Sequence, residues 1–285
     1  MKRNVETLGA APTTTDAGWL ASLEMQICRR GDKSVVSKSS QAGPLTIQSP
    51  FYPEGDLCHI YLLHPPSGIV GGDCLQLNVS VSDQGAALIT TPGATKFYHT
   101  NGKVAHQRQQ FKIDSGASFE WLPQETIYFP DAYAHLNTVI HLEHGSRFLG
   151  WDIHCLGLPA NDLDFGGGNA KICLQIFREN VPIFIDVMHV TEEKREHQAA
   201  FLRDYPITAT FVATDADPEL LERVRAALPL SRNGQWAATL VTDLLVLRYL
   251  GVSSHEARNL FINAWKLTRP HILERDAALP RIWAT

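Results

Sequence analysis

Alternating apolar and polar residues run through most of the chain and predict β-strands. In the clearest case, Leu75, Leu77, Val79 and Val81 alternate with polar residues. A period of two places one face of a strand in a core and the other toward water or a partner. Comparable patterns predict further strands at residues 19–30, 58–64, 173–177, 182–190, 207–214, 236–241 and 244–250.

One strand–turn–strand pattern occurs three times along the chain. The segments are VSVSDQGAALITTP, FKIDSGASFEWLP and IHLEHGSRFLGW, and their turns end in Gly85, Gly116 and Gly145, which lie 31 and 29 residues apart. A period near thirty is typical of stacked β units, either a β-solenoid or a layered sandwich. Ordinary hairpins, which recur in any all-β protein, are the alternative.

Helical patterns are confined to the C-terminal part of the chain. Residues 218–228 follow Asp217, a candidate N-cap, and begin with Pro218, whose missing N–H costs little in a first turn. A second helix begins near Ser253, which has capping-box spacing to Glu256, and Pro270 should end or kink it. Its predicted apolar stripe consists of Ala257, Leu260, Phe261, Ala264 and Trp265.

These patterns predict a fold dominated by β-structure, with a β-helix-like body of stacked β units and two helices near the C-terminus. Residues 1–17 are small and polar, and we expect them to form a flexible N-terminal arm. No change in composition marks a boundary after them, so residues 18–285 are predicted to form a single domain.

Composition excludes several functional classes. The net charge of −5 and pI of about 6.2 argue against nucleic-acid binding, which needs clustered positive charge, but permit acidic pockets for a cation. The cysteine number is odd and no CxxC occurs, which argues against a disulfide framework or zinc knuckle and fits a cytoplasmic protein. We find no signal peptide, and no apolar run reaches the roughly 18 residues that span a membrane.

No catalytic motif stands out. The segment GIVGGD at 68–73 lacks the GxGxxG spacing of a dinucleotide loop, and GATK at 93–96 lacks the spacing of a phosphate loop. GxSxG and HExxH are also absent from the sequence. The protein is therefore not expected to be an enzyme or to hold a cofactor of its own.

Histidines offer one route to metal chemistry. A β-barrel metalloenzyme is the alternative hypothesis, because imidazole and thiolate ligands make a retentive transition-metal site. The competing interpretation is a set of surface histidines with one core cysteine. The residues concerned are His135, His141, Glu143, His144, His154 and Cys155.

Four carboxylates lie in unusual surroundings. Asp73 follows two glycines, Glu125 lies in LPQET, Asp152 lies between Trp and Ile, and Asp186 interrupts the apolar run PIFIDVMHV. A carboxylate in such a run pairs with a cation, faces a cavity or lies on a solvated face.

The chain resembles the urease accessory protein family UreD, also called UreH, in five stretches. They are HPPSGIVGGD, TTPGATKFY, WLPQETI, FLGWDIHCLGLPA and LPRIWAT, which occur in this order from His64 to Thr285. Each stretch is short, but the combination is specific. Residues 1–17 take no part in the resemblance.

The resemblance implies a β-helix-like protein without catalytic activity. Such proteins form a scaffold with UreF and the GTPase UreG that docks on apo-urease, with a homodimer within that complex, and delivers nickel as transient cargo. Nickel travels through an internal passage lined by polar and acidic side chains. Carried over to this chain, the passage residues are Asp73, Asp152 and Asp186, with Glu125 as a further candidate.

The sequence departs from the family pattern at three positions. Ser67 stands where the family more often has Gly, and Asp152 and Asp186 stand where Glu is expected or common. A shorter carboxylate keeps its charge but shifts it by about 1.5 Å, which leaves individual ligand assignments open. A purely structural adaptor with the same partners and no passage also remains open.

Overall fold

The computed structural model describes residues 18–100, 102–193 and 202–284. The predicted N-terminal arm, residues 1–17, lies outside the described residues. The first of two sheets contains β1 (Leu20–Arg30), β2 (Lys33–Ala42), β5 (Cys74–Ser82), β8 (Ala105–Ile113), β11 (Tyr133–Leu142), β13 (Asn169–Arg178) and β14 (Val181–Thr191). Their spatial order is β14-β13-β11-β8-β5-β1-β2.

The second sheet has ten strands and lies against the first. Its strands are β3 (Thr46–Ile47), β4 (Cys58–Leu63), β6 (Ala86–Thr90), β7 (Thr95–Phe97), β9 (Ser118–Leu122), β10 (Thr126–Tyr128), β12 (Arg147–Leu156), β15 (Ile207–Ala213), β16 (Gly234–Val241) and β17 (Leu244–Gly251). The main path runs in the spatial order β16-β17-β15-β12-β9-β6-β4-β3, with β10 and β7 attached beside β12.

The body is a β-solenoid, as the thirty-residue recurrence predicts. One coil consists of β5, β6 and β7, the next of β8, β9 and β10, and the third of β11 and the long strand β12. Each strand pairs in parallel with its equivalent in the next coil. The hairpin interpretation is wrong here, because the two strands flanking each turn belong to different sheets.

The three turn glycines do not share one conformational role. Gly116 and Gly145 have φ of +73° and +71°, a left-handed region that favours glycine. In the first turn, Asp83 and Gln84 adopt that conformation instead, with φ of 49° and 56°. Gly85 is needed for space, because a Cβ there would lie 2.9 Å from the carbonyl oxygen of Ser82.

Burial follows the predicted alternation and produces two cores. The apolar residues of β5 join the core between the two sheets. A second core lies between the outer face of the second sheet and two helices, α1 (Pro218–Ala227) and α2 (Ser254–Leu273). All five residues of the predicted α2 stripe are buried in it. Within the described part of the chain, no helix is long and apolar enough to span a membrane.

The helix starts agree with the sequence prediction in part. Asp217 caps α1 by accepting from the Leu220 amide at 2.7 Å, and Ser253 caps α2 by accepting from the Glu256 amide at 3.2 Å. A capping box would also have the Glu256 carboxylate accept from the Ser253 amide, and this half of the prediction is wrong. The Glu256 carboxylate instead accepts from the Arg232 amide and the Ser231 hydroxyl, both at 2.8 Å.

Pro270 does not end α2, which continues to Leu273 and stops where Glu274 adopts a left-handed conformation. Proline removes the amide that would bond the carbonyl of Lys266. Both residues lie on the exposed side of α2, where water can bond the freed carbonyl. Ile272 and Leu273, which are buried in the core beneath the helices, hold the last turn in place.

Candidate functional site

Strand alternation directs Asp152 into the space between the sheets. On β12, Leu149, Trp151 and Ile153 belong to the core beneath the helices, whereas Phe148 and Leu156 belong to the inter-sheet core. Asp152 has the parity of Phe148 and Leu156, and so does His154. The candidate site therefore lies inside the solenoid.

Asp152 is deep in the protein but retains some solvent access. Desolvation raises the pKa of its carboxyl to about 7, and the nearby Trp121 indole opposes the rise. The side chain is only partly buried, and Trp121 Nε1 has no partner with hydrogen-bond geometry. Both observations fit a desolvated carboxyl that lies near the Trp121 indole and is not completely enclosed by protein.

His154 adds a neutral imidazole near this carboxyl. Burial lowers the pKa of His154 to about 4, and its Nδ1 lies 3.3 Å from the Tyr128 hydroxyl. Burial raises the pKa of Tyr128 well above its usual value, and the charge of Asp152 adds to that rise. At neutral pH the imidazole and phenol are uncharged, and Asp152, with a pKa of about 7, is about half ionised, so any negative charge on these three groups lies on Asp152.

Asp186 reaches the same inter-sheet space from the opposite sheet. Its register partner is Leu174, a residue of the inter-sheet core. In the second sheet, Asp152, Thr210 and Arg248 occupy one register line across β12, β15 and β17. Arg248 Nη1 lies 2.9 Å from the Asp186 carboxylate, so this ion pair connects the two sheets, two strands away from Asp152 along the second sheet.

Further polar groups continue the line across the first sheet. Thr138 lies in register with Leu174 and Gln109 and donates to the Gln109 amide oxygen at 2.9 Å. Two residues before Gln109 on the same face of β8, Gln107 Oε1 is buried without a partner in the described residues. Buried polar atoms are normally satisfied by protein or water. We call Gln109, Thr138, Asp152, Asp186, Thr210 and Arg248 the polar layer.

Asp73 lies at a corner of the solenoid. Its two carboxylate oxygens accept from the amides of Trp19 at 2.7 Å and Val70 at 3.0 Å. Its charge also opposes the lowering of the His64 pKa, of which burial is the main cause. The carboxylate thus holds the entry of β1 against β5, and its oxygens are partly occupied by these bonds.

Glu125 is not brought together with Asp152. It precedes β10, and its charge contributes to the raised pKa of Cys155, which burial raises to about 12. It also opposes the burial-induced lowering of the Arg258 pKa. Cys155 belongs to the core beneath the helices and Arg258 to α2. Glu125 therefore lies toward the helical side of the second sheet.

The histidine cluster of the metalloenzyme hypothesis is divided between the two sheets. His135 and His141 lie on β11, on the face opposite the inter-sheet core, whereas His154 and Cys155 occupy opposite faces of β12. Among the described residues, no group of three or more His, Cys, Asp or Glu side chains is arranged to hold a metal ion. The geometry that the hypothesis requires is not present there.

A buried charge network escaped the sequence prediction. Arg269 has no exposed side-chain surface and contacts Glu120 at 3.0 Å and Glu54 at 2.7 Å. Trp265 Nε1 donates to Glu120 at 2.6 Å, and His59 Nε2 lies 2.7 Å from Glu54. In the sequence, Glu120 could have indicated this network, because it lies between two aromatic residues in SFEWL. This network fixes α2 to the solenoid.

Fold and site together define a β-solenoid protein with a polar, acidic layer inside it. The chain belongs to the UreD urease accessory protein family, which it matches over residues 20–284. It is 41% identical to the urease accessory protein UreD of Alcanivorax borkumensis, over 94% of this chain and 93% of that protein. Identity to UreD of Klebsiella aerogenes is 39%, over 94% of this chain and 97% of that protein.

Proposed function

We propose that this protein is the scaffold through which nickel reaches apo-urease, in a cytoplasmic complex with UreF and the GTPase UreG. Family membership supports the accessory role, and the inter-sheet polar layer supports the handling of a cation. In this proposal the protein is not an enzyme and nickel is its cargo. A homodimer forms within the assembled complex.

The observation that carries the nickel proposal is that Asp152 and the Asp186–Arg248 pair lie in the same inter-sheet layer. A dication in the inter-sheet space would draw a proton from Asp152, whose pKa is about 7, and would compete with Arg248 for Asp186. Carboxylates with water bind divalent transition metals more loosely than a His/Cys cage. Such ligands suit an ion that must be released.

The test is urease activation in cells that express this protein with UreF, UreG and the urease subunits. Asp152→Asn and Asp186→Asn remove charge while nearly preserving shape. We expect both variants to assemble the complex, and we expect the nickel content and activity of purified urease to fall at least about tenfold. Normal activation by both variants in an intact complex would leave only the structural adaptor.

Glu125→Gln and Asp73→Asn separate the four candidate carboxylates. If nickel passes between the sheets, Glu125→Gln should activate urease normally, because Glu125 lies toward the helical side of the second sheet. Asp73→Asn keeps one oxygen that can accept from the Trp19 or Val70 amide. Loss of activation with retained folding would place Asp73 in the passage as well.

Partner binding is tested by co-purification with tagged UreF, alone and together with UreG. We expect direct binding to UreF and recovery of UreG only within the larger assembly. Multi-angle light scattering of that assembly reports whether two copies of this chain are present. A well-folded protein that never associates with UreF would contradict the proposed function.

A further inference from the structure

One cleft described in the structure lies on the helical side of the second sheet. Its volume is about 580 Å³, and it lies between the outward side of α2 and the C-terminal segment around Leu279 and Trp283. The sheet and its helical core separate it from the polar layer. Nickel transfer through the polar layer therefore does not account for this cleft.

The lining of this cleft is basic and contains no acidic residue. The cations are Arg258 and Lys266, with His255 at one end and Asn259 and Asn263 along the floor. The chain as a whole carries a net charge of −5, so this concentration of positive charge contrasts with the remainder of the surface. Complementarity favours an anionic occupant.

Arg258 has unused hydrogen-bonding capacity. It is partly buried, and its guanidinium lies 5.8 Å from the centre of the Trp283 ring. Its one described hydrogen bond is a long one, 3.5 Å to the carbonyl oxygen of Trp283. A guanidinium has five N–H donors. The charge of Glu125 also acts on Arg258, but no hydrogen bond joins these two residues in the described structure, so donors of the guanidinium remain available to a carboxylate in the cleft.

The distance between the two cations indicates how far apart the two anionic groups of the ligand must be. Arg258 and Lys266 are eight residues apart on one helix, which corresponds to about 12 Å. One small anion cannot contact both. In an extended peptide, residues i and i+4 lie on one side and are separated by about 13 Å. The residue midway between them would face the apolar side chains of Ile262 and Leu279, which also line the cleft.

We propose that this cleft binds an extended segment of a partner protein that carries two acidic side chains four residues apart with an apolar residue midway. Arg258 and Lys266 bind the two carboxylates. The Asn263 amide and the Asn259 amide oxygen bond the peptide backbone between them, because the Asn259 amide nitrogen lies 2.8 Å from His255 Nε2 and is already engaged. The inference does not depend on nickel passage, because the cleft and the polar layer share no residue.

Fluorescence anisotropy of a labelled Glu-Ala-Leu-Ala-Glu peptide with the purified full-length protein tests this proposal. We expect saturable binding, at least tenfold weaker binding of Gln-Ala-Leu-Ala-Gln, and weaker binding of Glu-Glu-Ala-Leu-Ala, in which the spacing is lost. Arg258→Met and Lys266→Met should each weaken binding about tenfold. Arg223→Met removes an exposed cation of α1 outside the cleft and should leave binding unchanged.

Equal binding of the glutamate and glutamine peptides would overturn the proposal, as would normal binding by Lys266→Met. Lys266 is exposed, so its substitution keeps the test valid even if Arg258→Met loses the Trp283 contact and folds poorly. Complete competition by 10 mM inorganic phosphate at constant ionic strength would indicate a single-anion site and also contradict the two-carboxylate ligand.

Discussion

Replacing Asp152 by Asn should stabilise the protein in a pH-dependent manner. In the folded protein the pKa of Asp152 rises from 3.8 to about 7, so the carboxyl stays protonated where the unfolded chain has already ionised. Stability from this group is fully present below pH 4 and is lost as pH rises toward 7. Asn cannot ionise and therefore avoids this loss.

The size of the effect follows from the pKa difference. A difference of about three corresponds to about 4 kcal/mol, at about 1.4 kcal/mol for each pKa unit. Asp152 retains some solvent access, which reduces the cost of ionisation, so we expect about 2 kcal/mol. The variant should match the wild type near pH 4 and exceed its free energy of unfolding by about 2 kcal/mol at pH 8.

Urea denaturation at several pH values between 4 and 8 measures this difference. Asp32→Asn, which alters an exposed carboxylate in the β1–β2 turn, provides the matched control, and its difference from wild type is subtracted at each pH. A stability gap for Asp152→Asn that does not change with pH would refute the assignment of Asp152 to a desolvated internal space.

Three further experiments test the attachment of α2 and the polar layer by urea denaturation. Arg269→Met leaves two buried carboxylates without their cation and should cost about 3–5 kcal/mol; a loss below about 1 kcal/mol would contradict the buried network. Ser253→Ala removes the α2 N-cap and should cost about 1 kcal/mol, whereas Ser253→Asp should largely retain stability. A double-mutant cycle between Asp186 and Arg248 should give a coupling below about 1 kcal/mol, because solvent screens the partly exposed pair; a larger value would show that the pair locks the sheets.

The polar layer could be predicted from the sequence only in part. Asp152 and Asp186 attract attention because each interrupts an apolar strand, and the structure places both in the inter-sheet space. The sequence could not identify Arg248 as the neighbour of Asp186, because the two residues lie on strands of different sheets. Glu125 shows the converse, since its motif makes it a candidate like Asp152 but its side chain lies toward the helices.

The sequence by itself determined most of the local structure and the repeat that the solenoid coils follow. Period-two alternation defines the strands and the thirty-residue recurrence defines the coils, because both express short-range backbone geometry. Only the tertiary structure decided which face of each strand became internal and which charges met there. Pattern alone shows that a strand has two faces, but it does not show which side chains will surround a carboxylate. The stacking of the two sheets places Asp152 in a desolvated space and brings Asp186 to Arg248.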